Sequence, residues 1–388
     1  KIIGRAGVGV DNIDLEAATN KGIIVVNAPD GNTIAAAEHT MAMMLALARK
    51  IPAATAKLKA GEWNKKAFLG VELRNKTLGI IGLGRIGSAV AKRAMAMEMR
   101  ILAYDPYISA ENALNMGIEI TSFDNVIKEA DFITVHTPKT KETMGMIGEK
   151  ELELMKDGVR LCNVARGGII SEKALMKGLE SGKIASAGID VFEVEPCPDN
   201  PLFKYDNVTV TPHLGADTVE AQQNVGRNIA EQVLNALKGE IVPNAVNLPT
   251  LHRDELQAVK PYINLMEKLG KIYYQLYQEP IDYVSIEYWG SVANQDTKMI
   301  TIAFVKGLLE PVVENRVNYV NALLLAEQRG IGVEQKVHSE MYNGYVDYVE
   351  IKIKNKKDTF VLAGNLSSRR EGRLVNVEGY QVDINPSR

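Results

Sequence analysis

Cysteine is scarce in this chain, since its 388 residues include only Cys162 and Cys197. Two cysteines are too few for a disulfide scaffold and match no metal-ligand spacing, so we expect no metal site and a reducing, cytoplasmic compartment. The chain also lacks an apolar run long enough to cross a bilayer, and its formal net charge of −3 leaves no basic excess. Membranes and nucleic acids are therefore not expected as main partners.

The composition that remains is typical of a globular protein, with 46% hydrophobic and 24% charged residues. The length exceeds what one ordinary hydrophobic core needs, so we expect two or three domains.

The most informative stretch begins with the apolar run 78–81, which is typical of a buried strand. Gly82, Gly84 and Gly87 follow it as G-x-G-x-x-G at the start of a helical segment, where backbone N–H groups can bind a pyrophosphate. Asp105 ends the next apolar run, where a carboxylate accepts hydrogen bonds from adenosine ribose hydroxyls and repels a 2′-phosphate. The pattern predicts a dinucleotide site that favours NAD over NADP.

Apolar segments with strand character recur along the first part of the chain, with helical segments between several of them. They cover residues 78–81, 100–104, 131–135, 159–164, 184–189 and 207–210. This alternation predicts an α/β fold, a doubly wound parallel sheet of the Rossmann type. Ligands of such sheets bind outside the carboxyl ends of the strands. The residues that follow the predicted ends include 137–138, 165–168, 190 and 211–213.

Arg166, Glu195 and His213 have the chemistry that oxidation of a 2-hydroxy acid requires. A hydride passes from C2 to nicotinamide while a base takes the hydroxyl proton, and histidine titrates near the working pH. A carboxylate behind the imidazole, for which Glu195 is the candidate, fixes its tautomer and stabilises the imidazolium. An arginine grips the substrate carboxylate and polarises the carbonyl oxygen in the reverse reaction.

Each of these residues also has a structural interpretation that the sequence leaves open. His213 could cap a loop at a strand end, Glu195 could be a solvated loop acid, and Arg166 could bind the cofactor phosphates. Asp190 lies either near the nicotinamide ribose or at the cap of a turn. His39, inside a predicted apolar helix over 33–49, is expected to be a packing or hydrogen-bonded residue.

The pattern changes after residue 243. Residues 244–249 are expected to form a linker. Beyond them, helical segments are predicted over 253–278, 297–309 and 316–329, and strands over 281–288, 332–338, 346–354, 358–363 and 373–377. This mixture predicts a separate α+β domain.

Five ordered motifs resemble the D-isomer-specific 2-hydroxyacid dehydrogenases. They cover residues 4–14, 82–87, 163–168, 190–196 and 211–216, within a match that extends from residue 1 to about residue 243. The resemblance implies an NAD-dependent enzyme that acts on a small phosphorylated hydroxy acid. It implies as well that the protein forms a homodimer or homotetramer. It also implies a catalytic set of Arg166, Glu195 and His213.

The same resemblance implies two groups of binding residues. The cofactor contacts are Val8, Gly82, Gly84, Arg85, Ile86, Gly87, Asp105, Thr137, Pro138, Val164, Ala165, Arg166, Asp190, His213, Gly215 and Ala216. The substrate contacts are Arg5, Gly7, Val8, Gly9, Asn32, Arg166 and His213. Position 8 is valine where some relatives carry threonine, so a backbone or apolar contact is expected there.

The resemblance also implies a domain organisation. Residues 1–28 and 214–243 are the incomplete flavodoxin-like substrate domain, and 29–213 the NAD-binding domain. Residues 250–378 resemble an allosteric substrate-binding domain, and 379–388 the start of a further regulatory domain. Two alternatives remain: a dehydrogenase for another D-2-hydroxy acid, such as glycerate or lactate, or an NAD-binding corepressor or sensor without turnover.

Overall fold

The computed structural model describes residues 1–249, 253–277, 279–313 and 316–386. The chain forms two compact units. Residues 29–225 form one of them, and residues 1–28 form the other together with residues from 226 onward. We call them the central unit and the flanking unit, after their places in the sequence.

The flanking unit begins with β1 (Ile2–Gly4), α1 (Leu15–Asn20) and β2 (Ile24–Val26). Asp14 caps α1, because its Oδ1 accepts the N–H of Ala17 at 2.8 Å. The two strands pair in parallel as a two-stranded sheet.

The central unit alternates strands and helices. Its elements are α2 (Thr33–Arg49), α3 (Ile51–Lys59), β3 (Thr77–Ile81), α4 (Arg85–Ala96), β4 (Arg100–Tyr104), α5 (Ala110–Asn115), β5 (Glu119–Ile120), α6 (Phe123–Glu129), β6 (Phe132–Val135), α7 (Glu149–Leu154), β7 (Val159–Asn163), α8 (Glu172–Glu180), β8 (Ile184–Ile189) and β9 (Val208–Val210). The next helix, α9 (Val219–Leu237), continues into the flanking unit.

The central sheet has seven strands in the order β5-β4-β3-β6-β7-β8-β9, and every pair is parallel. All five residues of β3 are buried, as expected for a parallel strand covered on both faces. Leu78 and Ile80 belong to one hydrophobic cluster, and Ile81 belongs to the other. The predicted doubly wound α/β sheet is confirmed, with β5 as one strand more than the sequence predicted.

Helix α2 packs against α4 and against β7 to β9. Its small and flexible apolar side chains are buried, which explains why alanine and methionine dominate this helix. Asn32 occupies the N-cap position, but its side chain makes no capping hydrogen bond. Lys50 ends the helix in the left-handed region, with φ of 53°.

The rest of the flanking unit is an α+β arrangement. Its elements are α10 (Arg253–Tyr277), β10 (Tyr283–Gly290), α11 (Thr297–Leu309), α12 (Ala322–Gln328), β11 (Gly332–His338), β12 (Asp347–Lys354), β13 (Thr359–Leu366), β14 (Gly372–Val377) and β15 (Tyr380–Ile384). The six-stranded sheet has the order β11-β10-β12-β13-β14-β15, and only β10 and β11 pair in parallel.

Two helices of this unit cross at glycine. A Cβ on Gly307 of α11 would lie 2.0 Å from the carbonyl oxygen of Glu267, and a Cβ on Gly270 of α10 would lie 2.4 Å from that of Phe304. The backbones therefore approach more closely than any larger residue would permit.

The structure differs from the sequence-based expectation at residues 316–329, because only 322–328 are helical. Asn318 and Asn321 divert the backbone before that helix. The N–H of Asn318 donates to Asn321 Oδ1, and the N–H of Val320 donates to Asn318 Oδ1. Such local bonds compete with helix formation.

The expected linker over 244–249 is part of the flanking unit, and its Asn247 bonds to β2 and to the residue before that strand. Its Oδ1 accepts the N–H of Val25 at 3.0 Å, and its Nδ2 donates to the carbonyl oxygen of Ile23 at 2.9 Å. At the other end, Tyr380–Ile384 pairs with β14 in the six-stranded sheet, although the sequence assigned these residues to a further domain. The remaining domain boundaries stay a prediction.

Candidate active site

The carboxyl ends of the parallel central strands bring the candidate residues to one edge of the sheet. Gly82 follows β3, Asp105 follows β4, and Thr137 comes shortly after β6. Asp190 follows β8, and His213 comes shortly after β9. Because parallel strands end at the same edge, residues distant in sequence meet there.

His213 and Glu195 form a hydrogen-bonded pair. His213 Nδ1 lies 2.7 Å from Glu195 Oε2, and Glu195 Oε1 accepts the N–H of Phe192 at 2.8 Å. A carboxylate only accepts hydrogen bonds, so Nδ1 carries the hydrogen and Nε2 keeps its lone pair. Both side chains are partly exposed, at 48% and 34%. The pair can therefore be reached from solvent.

Asp190 holds the turn that carries His213. Its carboxylate is fully buried and accepts the Thr211 hydroxyl at 2.6 Å and the N–H groups of Leu214 and Gly215 at 2.7 and 2.8 Å. Burial acts to raise the pKa of Asp190, but the hydrogen bonds from His39, Thr211 and the two N–H groups outweigh it, and the pKa lies below its usual value. The structure thus gives Asp190 the turn-capping role, and its contact with cofactor stays a prediction.

Arg166 lies in a loop that Asn163 organises from the end of β7. Asn163 Oδ1 accepts the N–H of Ala165 at 3.0 Å, and its Nδ2 donates to the carbonyl oxygen of Arg166 at 2.9 Å. The guanidinium Nη1 of Arg166 donates to the carbonyl oxygen of Ala165 at 2.7 Å. Asn163 is nearly fully buried. The sequence-based prediction gave Asn163 no role of its own. Its place before a glycine-rich turn nevertheless indicates a side chain that can bond to the backbone of that turn.

The glycine-rich turn has the geometry of a pyrophosphate site. Gly82 has φ of +93°, and a Cβ on Gly87 would lie 2.1 Å from the Gly82 carbonyl oxygen. A Cβ on Gly84 would meet nothing within 4 Å, so this position lies open at the N-cap of α4. The turn therefore brings the helix N-terminus close to the space where a diphosphate would bind.

Asp105 supports this turn and keeps acceptor capacity. Its Oδ2 accepts the N–H of Leu83 at 2.8 Å, and its Oδ1 accepts the N–H of Tyr107 at 2.8 Å. A carboxylate has about four lone-pair positions, so it can also accept ribose hydroxyls. Thr137 Oγ1 is buried and has no hydrogen-bond partner among the described residues, which leaves a polar atom for a ligand. These residues fit a dinucleotide.

Other residues implied for the cofactor lie around the same strand ends. Ile86 and Arg85 begin α4, and Arg85 pairs with Asp30 at 2.8 Å. Pro138 directly follows Thr137. Val164 and Ala165 lie between Asn163 and Arg166, and Gly215 and Ala216 lie on the turn after His213.

The implied substrate residues are divided between the units. Arg5, Gly7, Val8 and Gly9 belong to the flanking unit, where the Val8 carbonyl oxygen accepts a hydrogen bond from Asn27 at 2.7 Å. Asn32 belongs to the central unit, and its buried Oδ1 has no hydrogen-bond partner in the part of the chain that the structure describes. Their contact with substrate stays a prediction.

Two further observations concern the described residues as a whole. Among them, no group of three or more His, Cys, Asp and Glu residues is placed to hold a metal ion. None of the helices in the described ranges combines the length and apolar character needed to cross a bilayer.

Comparison with known proteins agrees with this geometry. Residues 41–215 match the family model of the D-isomer-specific 2-hydroxyacid dehydrogenase NAD-binding domain. Residues 258–378 match that of the D-3-phosphoglycerate dehydrogenase intervening domain. The D-3-phosphoglycerate dehydrogenase of Archaeoglobus fulgidus is 48% identical over all 388 residues and 73% of its own length. That of Bacillus subtilis is 46% identical over 387 residues and 74% of its length.

The chain belongs to the D-3-phosphoglycerate dehydrogenase family. Among solved structures, D-lactate dehydrogenase from Aquifex aeolicus complexed with NAD and lactic acid is 35% identical, with a TM-score of 0.59. The match covers 64% of this chain and 81% of that one. The predicted NAD-dependent 2-hydroxyacid dehydrogenase is thereby confirmed, and its cofactor is NAD.

Proposed function

We propose that this chain oxidises 3-phospho-D-glycerate to 3-phosphohydroxypyruvate with NAD, the first step of L-serine biosynthesis, and that Arg166, Glu195 and His213 carry the chemistry. The observation that supports this assignment most strongly is the 2.7 Å contact between His213 Nδ1 and Glu195 Oε2 at the ligand-binding edge of the sheet. The relatives named D-3-phosphoglycerate dehydrogenase support the choice of substrate.

His213 takes the proton of the substrate hydroxyl at Nε2. Its Nδ1–H stays bonded to Glu195, so only Nε2 has a lone pair for this proton. As the imidazolium forms, its positive charge is stabilised by the Glu195 carboxylate, whose Oε2 lies 2.7 Å from Nδ1. This interaction stabilises the transition state. In the reverse direction the same nitrogen returns the proton to the carbonyl oxygen of the substrate.

Arg166 binds the carboxylate of the substrate and orients C2. A guanidinium offers two parallel N–H groups to a carboxylate, so it fixes both position and rotation. The Asn163 bonds to the Arg166 loop hold the backbone from which this side chain projects. Arg166 also stabilises negative charge on the carbonyl oxygen during reduction.

When bound, NAD would supply the hydride acceptor for the oxidation at C2. The chain's own contribution is to hold it: the turn at 82–87 binds the diphosphate through backbone N–H groups, and Asp105 accepts the ribose hydroxyls. A carboxylate at this position repels the 2′-phosphate of NADP. We assign to NAD the cofactor contacts that the family resemblance implies, of which Val8 is the first in sequence and Ala216 the last. We assign Arg5, Gly7, Gly9 and Asn32 to the substrate.

The wider setting belongs to the same proposal. We expect a cytoplasmic homodimer or homotetramer, and we assign residues 250–378 to an allosteric substrate-binding type of domain. The scarcity of cysteine supports a reducing compartment, and the resemblance to the family supports the association of cofactor domains.

A substrate comparison tests the choice of hydroxy acid. Initial rates of NADH formation are measured with 3-phospho-D-glycerate, D-glycerate and D-lactate under identical conditions. We expect a clear preference in kcat/KM for the phosphorylated acid. Equal values for 3-phosphoglycerate and D-lactate would overturn the substrate assignment and leave the dehydrogenase chemistry intact.

A further inference from the structure

His39 contacts the two residues that hold the His213 turn, although it is distant from them in sequence. It lies inside α2, and its Nε2 is 3.0 Å from Thr211 Oγ1 and 3.4 Å from Asp190 Oδ1. The His39 side chain is 20% exposed, and that of Asp190 is fully buried. An imidazole thus bridges a helix and the strand ends at the catalytic edge.

The partners of His39 determine which nitrogen carries its hydrogen. The Thr211 hydroxyl has one hydrogen and donates it to Asp190 Oδ1 at 2.6 Å. Its oxygen can therefore only accept from the imidazole, so His39 Nε2 carries a hydrogen. His39 is consequently the first donor in a chain that runs through Thr211 to the Asp190 carboxylate.

The turn at the end of this chain is conformationally demanding. His213 has φ of +59°, a region that non-glycine residues occupy only when their surroundings hold them there. Its N–H donates to the Asp190 carbonyl oxygen at 2.8 Å, and the N–H groups of Leu214 and Gly215 donate to the Asp190 carboxylate. The direction of the catalytic imidazole therefore depends on where Asp190 and Thr211 are held.

We propose that His39 is a positioning residue for His213. By donating to Thr211 and Asp190, it fixes the strained turn from which the imidazole of His213 reaches both Glu195 and the substrate. His39 contacts neither substrate nor cofactor in this assignment. The inference rests on the proposed role of His213 as proton acceptor and adds a residue that acts through it.

Two substitutions of His39 separate positioning from packing. His39→Phe keeps a planar ring but removes the donor, whereas His39→Gln keeps an N–H donor. We expect His39→Phe to lower kcat for 3-phosphoglycerate roughly tenfold to a hundredfold, since a small displacement of a catalytic group has costs of this order. The KM and the dissociation constant of NADH should change far less than kcat, since most of the residues assigned to substrate and cofactor lie outside this turn. His39→Gln should recover most of kcat.

Glu38→Gln is the matched control on the same helix. Glu38 precedes His39 in α2 and pairs with Arg93 of α4 at 3.2 Å, apart from the Asp190 contacts. We expect this variant to keep wild-type kcat, KM and NADH affinity. A loss like that of His39→Phe would indicate a general effect of α2 and would overturn the proposal.

Thr211→Val tests the same chain from its other end and carries the test if His39→Phe does not fold. Thr211→Val alone should lower kcat as His39→Phe does, and its combination with His39→Phe should lower kcat by no more than the larger of the two single losses, because both changes break one hydrogen-bonded path. Independent, multiplying effects would contradict the proposal, as would unchanged kcat in a folded His39→Phe. An inactive wild type would instead overturn the proposed function itself and this inference with it.

Discussion

Glu195 accepts two hydrogen bonds, one at each carboxylate oxygen. Oε1 accepts the N–H of Phe192, and Oε2 accepts Nδ1 of His213. The side chain cannot rotate without breaking one of these bonds, so the imidazole has a fixed direction before substrate binds. Such preorganisation lowers the reorganisation that the transition state requires.

Substitution of Arg166 tests whether the paired N–H groups of its guanidinium bind the substrate carboxylate. Arg166→Lys keeps the positive charge but loses the paired N–H groups, so we expect kcat/KM for 3-phosphoglycerate to fall roughly 10²-fold to 10³-fold with NADH affinity nearly unchanged. Steady-state kinetics and NADH fluorescence measure both. Arg160→Lys on β7 is the control, since Arg160 donates to the Gly158 carbonyl oxygen and stacks over Phe132 away from the catalytic residues. An undiminished kcat/KM in Arg166→Lys would argue against substrate anchoring.

His136 gives a pH-dependent contribution to stability. Burial lowers the pKa of His136 to about 4 from its usual 6.5. Between these pH values the unfolded chain holds a proton on this imidazole and the folded chain does not, so acidification favours unfolding. We expect a loss of about 3 kcal/mol of stability from this group between pH 7 and pH 4.

Urea unfolding of wild type and His136→Gln at several pH values checks this expectation. The stability difference between the two proteins should shrink as the pH falls from 7 to 4, because only wild type has the buried imidazole. The Thr134 hydroxyl, which bonds to His136 Nε2 at 3.0 Å, loses the same partner at every pH and so does not change the slope. A constant difference would contradict the assignment.

At the scale of elements, segments that are buried on almost every side could be predicted and irregular ones could not. The predicted strand over 184–189 and the helix over 297–309 have the observed bounds, because burial of nearly all their residues makes each a continuous apolar run. β5 has only two residues, too few to show a period. The helix predicted over 316–329 began too early, because residues 316–321 are mostly the weak helix formers Val, Asn and Tyr, and asparagine side chains bond to the backbone there.

Gly307 tests the crossing of α10 and α11. Its added Cβ would lie 2.0 Å from the Glu267 carbonyl oxygen, so Gly307→Ala must push the helices apart. We expect a loss of about 1–3 kcal/mol of stability, the usual cost of overpacking. Gly226→Ala in α9 is the control, because its Cβ meets nothing within 4 Å and should leave stability unchanged or improve it by about 1 kcal/mol. Thermal unfolding compares the two, and equal effects would contradict the packing account.

At the scale of the whole molecule, the candidate site residues could be predicted from the sequence, but the long-range contacts that support them could not. Arg166, Glu195 and His213 stand in recognisable motifs at predicted strand ends, so their types and places indicate chemistry. The partner of His39 is not visible in the sequence, because Thr211 lies 172 residues away and only the folded sheet brings them together. The turn-capping role of Asp190 likewise depends on distant N–H groups.

The proposed catalytic residues lie within the central unit, whereas Arg5 and its loop belong to the flanking unit. An assay of the entire chain is therefore required, because both sets of residues are assigned to one substrate. The most direct measurement is the rate of NADH formation from 3-phosphoglycerate by wild type and by His213→Gln, with NADH affinity measured in parallel. We predict an active wild type and a loss of roughly two to four orders of magnitude in kcat for His213→Gln, with a far smaller change in NADH affinity. A variant that turned over at the wild-type rate would contradict the central claim that His213 is the proton acceptor.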